Sequence, residues 1–220
     1  MRDLARTLQE RIKGEVRFDR ASRLIYSTDA SIYEIEPIGV VIPRTSEDIF
    51  AAVETAREFE VPLLPRGGGT SLAGQTVGHA LVIDTSKYLD RVLEVNTEEG
   101  WAWVEPGLVQ ERFNQQLQSL GYLFGPDTST ANRATLGGMI GNNSAGSHSI
   151  LYGKTIDHVL EIDAILASGE RKLFKEIGFT RAQQIGGLEG RIANIIDSNR
   201  NEIDLRFPKI MRRVSGYNLD

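Results

Sequence analysis

The stretch PRGGGTSLAGQTVG, residues 65–78, decides how the chain is read. An apolar run, VPLL at 61–64, leads into it, so the glycines follow a short strand. Glycine has no Cβ and lets a ligand approach the main chain closely. Successive N–H groups in such a turn can converge on an anion, as in the nests that hold phosphates. Thr70 and Ser71 add hydroxyls. The loop therefore reads as a cradle for the pyrophosphate of a nucleotide. Two familiar nucleotide loops do not fit. A dinucleotide-binding G-x-G-x-x-G accommodates Gly67 and Gly69, but Leu72 stands at the third position. No acidic residue sits at a convincing strand end some twenty residues later to serve as its ribose partner, although Asp84 is close enough to be considered. A phosphate loop with Gly-Lys-Ser/Thr is ruled out, because no lysine lies between Lys13 and Lys87.

Upstream, Leu4, Leu8 and Ile12 recur at helical spacing within a helix over 3–13. GVVIP, 39–43, reads as a short buried strand, and Ser46 as the N-cap of a helix running to about Phe59 with Ile49, Val53 and Ala56 inward. With the strand VPLLP, 61–65, this gives a strand–helix–strand unit and suggests a parallel pairing. Downstream, ALVIDTS, 80–86, is a further strand. RVLEVN, 91–96, and WAWVEPG, 101–107, form a hairpin across TEEG. A helix over about 108–120 carries Leu108, Phe113, Leu117 and Leu120, with Gly121 as its stop. Residues 155–170 read as β-rich, KLFK as their partner strand, and 187–203 as one helix with Leu188, Ile192, Ile195 and Ile196 on a face.

The second glycine block lies in residues 123–153, which show neither strand nor helix period for most of their length. A long irregular stretch inside a compact domain is commonly functional. PDTST, 126–130, and TLGGMIGNNSAGSHSILYG, 135–153, supply main-chain donors, hydroxyls and amides. His148 is the only basic residue between Arg133 and Lys154. Such a surface suits a large, uncharged, hydrogen-bonding ring system better than a phosphate. An isoalloxazine fits; a carbohydrate is the other reading.

The chain has 220 residues and a net charge of −5, which argues against a nucleic-acid partner. It has no cysteine, so disulfides and cysteine-ligated zinc or iron–sulfur sites are excluded within it, and no metal site is expected. No apolar run is long enough to span a membrane, and a cytoplasmic setting is expected, with a peripheral membrane association in the full-length protein left open.

PRGGGTSLAGQ, VEPG, PDTST, TLGGMIGNNSAGSHSILYGKT, DHVLEIDAILASGE and VSGYNLD, in this order, resemble the FAD-binding domain of the vanillyl-alcohol oxidase / p-cresol methylhydroxylase superfamily. The similarity is greatest to its D-lactate, glycolate and D-2-hydroxyglutarate dehydrogenase branch. Within that branch it points to the long bacterial members that carry a C-terminal iron–sulfur region. The resemblance implies an α+β, two-subdomain FAD-binding fold: a small α/β subdomain with short parallel strands, then a larger one with a mixed, mainly antiparallel sheet flanked by helices. The expected divisions are 1–36 for an N-terminal helix and lead-in, 37–98 for the first subdomain and 99–220 for an incomplete second, with the substrate-cap domain absent.

The resemblance also implies site residues. Arg66, Gly67, Gly68, Gly69, Thr70, Ser71, Ala73 and Gly74 would wrap the FAD pyrophosphate and ribityl. Pro126, Asp127, Thr128, Ser129, Thr135, Gly137 and Gly138 would line the flavin. Asn142, Asn143 and Gly146 would continue along the cofactor, and Tyr152 and Gly153 would close the loop. Covalent relatives often carry histidine directly after the first glycines. Thr70 stands there, so non-covalent FAD is implied, with His148 the remaining candidate for a link.

Relatives continue beyond this stretch, so the chain reads as an N-terminal piece. The catalytic base and substrate-binding residues are expected in the missing part, as is any iron–sulfur cluster, and no catalytic residue is assigned. His79 and His158 lie in no supporting motif. The implied activity of the whole is oxidation of a D-2-hydroxy acid to the 2-oxo acid by hydride transfer to flavin N5. The electron acceptor is unassigned, and the fragment alone is expected to be inactive. The alternatives are a non-catalytic flavin-binding module and a UDP-N-acetylenolpyruvoylglucosamine reductase-like NADPH/FAD enzyme.

Overall fold

The computed structural model describes residues 1–210 and 217–219. The motif VSGYNLD, 214–220, therefore lies largely outside the described residues. The chain opens with α1 (Arg2–Arg11), β1 (Glu15–Arg17) and α2 (Arg20–Ile25). β2 (Gly39–Ile42), α3 (Ser46–Glu58), β3 (Leu63–Arg66) and β4 (Leu81–Asp84) follow. The first sheet has the order β1-β2-β4-β3, with β4 parallel to both β2 and β3, and β1 antiparallel to β2. The strands on either side of α3 are thus parallel but not neighbours, which corrects the expected direct pairing. Pro65 lacks an N–H, and such strands go to sheet edges. β3 takes the edge, and the fully buried β4 takes the slot between.

Strand alternation then builds two cores. Val41, Leu81 and Ile83 face α1 and α3, meeting Leu4, Leu8, Ala52, Val53 and Ala56. Val40, Ile42 and Val82 face the other way, against Tyr26, Leu64 and Tyr88. Both faces are covered, as a parallel sheet requires. Leu8 and Leu81 are 0% exposed, and burial of such a side chain contributes about 1.5–3 kcal/mol. The N-cap of α3 is Thr45 rather than Ser46: its extended backbone lets Oγ1 accept the Asp48 N–H at 3.4 Å. Asp48, in turn, accepts from the N–H groups of Lys13 and Arg44.

β5 (Val92–Asn96) and β6 (Trp101–Val104) form the expected antiparallel hairpin, with an irregularity between Val92 and Glu94. At its open end, Glu105 accepts from the Arg91 N–H (2.9 Å) and from its guanidinium (2.8 and 3.1 Å). α4 (Gln110–Gln118) follows, and Leu108, Phe113 and Leu117 join Ala134, Leu136 and Met139 in a third core; Leu120 is exposed instead.

The stretch 123–153 is more regular than its sequence suggests. It contains α5 (Leu136–Asn142) and the single-turn α6 (Ser149–Tyr152). The glycines of LGGMIGN are poor helix formers, but Thr135 caps the turn and Leu136 and Met139 are buried in the third core. Thr155–His158, expected as strand, is a 3-10 turn. β7 (Glu161–Ile165) and β8 (Arg171–Lys175) make a two-stranded sheet.

The described residues divide into two compact units, 1–158 with 164–172, and 159–163 with 173 onward. The second unit carries α7 (Phe179–Ile185), which no sequence signal announced, then α8 (Gly187–Ser198) and α9 (Arg200–Arg206). The expected single helix over 187–203 is broken at Asn199. Its buried contacts come from Gly190 and Ala193, while Ile192 and Ile195 are exposed. Among the described residues, no helix is long and apolar enough to cross a membrane.

Candidate functional site

The glycine loop leaves the sheet at the C-terminal end of β3, where Arg66 pairs with Asp84 of β4. Among the described residues, none accepts a hydrogen bond from the main-chain N–H groups of residues 67–75. The Ser71 Oγ is buried and has no partner. A buried, unpaired hydroxyl is costly unless something else pairs with it.

The loop is held from outside itself. The Arg66 guanidinium lies beside Gly69 and donates to three carbonyls: Thr28 (2.7 Å), Thr76 (3.0 Å) and Tyr26 (3.3 Å). Asp29 accepts from the Thr76 hydroxyl at 2.9 Å and from the Ser31 N–H at 2.8 Å. Burial works against the charged form of Asp29, but these hydrogen bonds outweigh it and keep the carboxyl below its ordinary value. The Ala30 N–H donates to the Gly69 carbonyl at 3.0 Å. The lead-in segment, to which sequence reading gave no role, thus braces the loop.

Gly67 and Gly68 make room for the second glycine block. A Cβ on Gly67 would stand 2.0 Å from the Thr135 Oγ1, and one on Gly68 would stand 2.3 Å from the Arg133 carbonyl oxygen. The glycine loop therefore meets the turn before α5, across a long gap in sequence. Gln75 and Asn142 join the two blocks further on, Nε2 donating to Oδ1 at 3.4 Å.

In the second block, side chains from α4 set the geometry. Gln110, 2% exposed, donates through Nε2 to the Pro126 carbonyl and accepts the Thr128 hydroxyl at 2.9 Å. Asn114 accepts the Phe124 N–H at 2.8 Å. Asp127 holds the chain at 146–148: it accepts from the Ser147 hydroxyl (3.0 Å), the His148 N–H (3.0 Å) and the His148 Nδ1 (2.5 Å). Gly146 lies against the Asp127 carbonyl, where a Cβ would be 1.5 Å away. Thr135 caps α5 through the Gly138 N–H, and Gly137 lies on Pro106.

Asn143 ends α5 in the left-handed region, and its Oδ1 accepts the Ile156 N–H at 3.1 Å. Thr155 binds the Ser144 carbonyl through both its N–H (3.0 Å) and its hydroxyl (2.8 Å). Tyr152 and Gly153 close α6, with the Tyr152 carbonyl 2.5 Å from the His158 Nε2. The hydroxyls of Thr70 and Ser129 make no hydrogen bond to a described residue. Ala73 is exposed and Gly74 lies against the Tyr33 ring.

Gln110, Asn114, Asp29 and Thr155 are the site-building residues that sequence reading missed. The available signal was that Gln110 and Asn114 fall at helical spacing with Phe113 and Leu117, the apolar residues that α4 buries. Asp84, weighed as a ribose partner, serves the fold. It is 6% exposed and accepts from the Tyr26 hydroxyl (2.6 Å) and the Ser86 N–H (2.8 Å). Burial and this bond push the Tyr26 hydroxyl well above its ordinary value.

Comparison with known proteins places the chain in a family. The family model described as FAD binding domain matches residues 37–173. D-2-hydroxyglutarate dehydrogenase of Escherichia coli (strain K12) is 38% identical over 96% of this chain, which spans 22% of that protein. Glycolate oxidase subunit GlcD of Bacillus subtilis (strain 168) is 32% identical over 85% of the chain and 42% of its own length. The chain thus spans about a fifth to two-fifths of these relatives. Among solved structures, p-cresol methylhydroxylase with substrate bound superposes with a TM-score of 0.65, at 16% identity, over 78% of this chain and 35% of that one, a likeness of fold.

Proposed function

From the premise that the chain belongs to the FAD binding domain family, we propose that it is the FAD-holding portion of a flavoenzyme that oxidises a D-2-hydroxy acid to the 2-oxo acid. The observation that carries the cofactor assignment is the glycine loop: free N–H groups over residues 67–75 surrounding the buried, unpaired Ser71 hydroxyl. These donors fit a pyrophosphate, which presents only acceptors. When bound, the FAD supplies a hydride acceptor at its N5.

The chain's own residues bind and orient. Gly67, Gly68, Gly69, Thr70, Ser71, Ala73 and Gly74 surround the pyrophosphate and ribityl through main-chain donors. Pro126, Asp127, Thr128, Ser129, Thr135, Gly137 and Gly138 line the ring system, with Asn142, Asn143, Gly146, Tyr152 and Gly153 continuing the wall. The binding is non-covalent: Thr70 stands where covalent relatives carry the linking histidine, and the His148 ring is engaged by Asp127. The division into a lead-in over 1–36 and subdomains over 37–98 and 99–220 belongs to the same proposal. Its support is that the buried residues of one core fall within 4–83 and those of another within 108–139. The hydroxy-acid assignment rests on the names of the relatives. The catalytic base, the cap and any iron–sulfur cluster belong to chain beyond these residues.

The test is direct. Titration of the protein with FAD should quench flavin fluorescence with a saturable, one-to-one isotherm, and acid precipitation should release all the flavin. Absence of saturable binding would overturn the cofactor assignment. In the full-length enzyme, anaerobic bleaching of the flavin by one of a panel of D-2-hydroxy acids, and not by NADPH, is expected. Bleaching by NADPH alone would replace the dehydrogenase reading with a reductase.

A further inference from the structure

We infer that Arg66 is a positioning residue: together with residues 26–30 it holds the glycine loop in its donor-rich shape, and its charge does not contact the bound group. The inference rests on the FAD reading only for what the loop binds. An arginine opening a phosphate loop is the obvious candidate for a phosphate ligand, because its forked guanidinium matches phosphate oxygens. Here that fork is spent on the protein. Nη1 donates to the Tyr26 and Thr76 carbonyls and Nη2 to the Thr28 carbonyl. The guanidinium carbon also lies 5.2 Å above the Tyr26 ring.

These contacts join three pieces of chain. Thr28 and Tyr26 belong to the lead-in, Thr76 closes the loop, and Arg66 opens it. Asp29 repeats the link from the other side through Thr76, and Ala30 through the Gly69 carbonyl. A Cβ on Gly69 would fall 2.8 Å from Nη2, so the guanidinium packs directly against the loop at Gly69. The N–H groups of residues 67–75 are left without protein partners, and within the loop only the Val77 N–H, donating to the Gly74 carbonyl at 3.4 Å, helps the main chain fix its own shape. A charged donor with three carbonyl acceptors fixes it. Residues 26–30 precede the segment 37–173 matched by the family model.

The experiment compares Arg66→Lys and Arg66→Ala with the wild type by FAD titration at several salt concentrations and by amide hydrogen exchange without FAD. A lysine keeps the charge but cannot span three separate carbonyls. We expect at least tenfold weaker FAD binding in both variants and an unchanged slope of log Kd against log salt. The Ala30 and Thr76 N–H groups should exchange faster in both, with circular dichroism retained. Wild-type affinity in Arg66→Lys, or a salt slope reduced by about one in Arg66→Ala, would make Arg66 a phosphate ligand and overturn the inference. If Arg66→Ala fails to fold, Asp29→Asn serves in its place, with faster Thr76 exchange and weaker FAD binding expected. If the wild type itself binds no FAD, the cofactor reading fails, while the exchange of Ala30 and Thr76 still decides whether Arg66 braces the loop.

Discussion

Asp127 grips His148 at two points, one carboxylate oxygen accepting the main-chain N–H at 3.0 Å and the other lying 2.5 Å from the ring Nδ1. The two residues bracket the second glycine block, so the pair fixes 126–129 against 146–149. Burial opposes the charged form of Asp127, but the bonds from His148 and Ser147 hold its carboxyl below the ordinary value. Asp127→Asn keeps the shape and loses the charge-assisted bonds. Faster exchange of the His148 N–H and a severalfold loss of FAD affinity are expected. Unchanged exchange at His148 would show that the pair holds nothing in place.

Substitution at Gly68 would be the natural probe of a ligand-binding loop, but the structure changes what it reports. The added Cβ would meet the Arg133 carbonyl oxygen, main chain that cannot rotate away. Gly68→Ala is therefore expected to cost about 1–3 kcal/mol of stability with no flavin present. Gly78→Ala, where the nearest atom is 3.4 Å away on Leu64, should cost much less. Thermal melts of both in flavin-free buffer decide this. Equal melting temperatures would contradict the close contact between loop and turn.

Gln110 carries a different kind of load. Its amide satisfies the Pro126 carbonyl and the Thr128 hydroxyl inside a buried setting. Gln110→Ala leaves both unpaired, at a cost of about 1–3 kcal/mol for each group that stays dry. Gln110→Glu places a second acceptor against the Pro126 carbonyl and should be at least as damaging at neutral pH. Denaturant unfolding of the two variants measures the cost, and a glutamate variant as stable as wild type would mean the amide donor is not used.

Much of this architecture was legible in the sequence, and the exceptions have physical causes. Leu4, Leu8 and Ile12, the buried runs of β2 and β4, and the WAWV hairpin follow hydrophobic period directly. The position of β4 between β2 and β3 did not emerge, although Pro65 was an available sign that β3 belongs at an edge. α5 was hidden because its glycines disfavour a helix that tertiary burial of Leu136 and Met139 stabilises. At the site, motif order located both blocks, and the structure brings them together through Gly67 and Thr135. What the motifs could not convey was direction. Arg66 bonds to carbonyls of the protein, Thr76 of its own loop among them, and polar side chains on α4, read only as helix, shape the second block.

Glu15 supplies a pH-dependent link far from the glycine blocks in sequence. It accepts from Lys87 Nζ (2.5 Å), the Tyr88 hydroxyl (2.6 Å) and Arg17, tying β1 to the segment after β4. The Lys87 bond leads the set that lowers its carboxyl to about 2, from an ordinary 4.5. A depressed folded-state value stabilises the fold fully above the ordinary value, and that contribution is lost as pH falls toward the depressed one. The stability gap between wild type and Glu15→Gln should therefore be constant above pH of about 5 and close progressively toward pH 2. Urea melts across that range test it. A gap independent of pH would show that the carboxylate's charge contributes nothing.

Ser71 gives the sharpest separation between holding the fold and holding the cofactor. Its hydroxyl is buried without a partner, so it contributes no hydrogen bond to the flavin-free protein and carries a desolvation cost of about 1–3 kcal/mol. Removing it relieves that cost. Ser71→Ala should be as stable as the wild type or more so in the absence of FAD. The same change removes a donor from the proposed pyrophosphate cradle, and FAD affinity should fall roughly tenfold, the equivalent of about 1.4 kcal/mol. Opposite signs in the two measurements, a melting temperature that holds or rises and a dissociation constant that rises, are the expected outcome. A variant that loses stability while keeping full affinity would place the hydroxyl in the fold and remove it from the cofactor site.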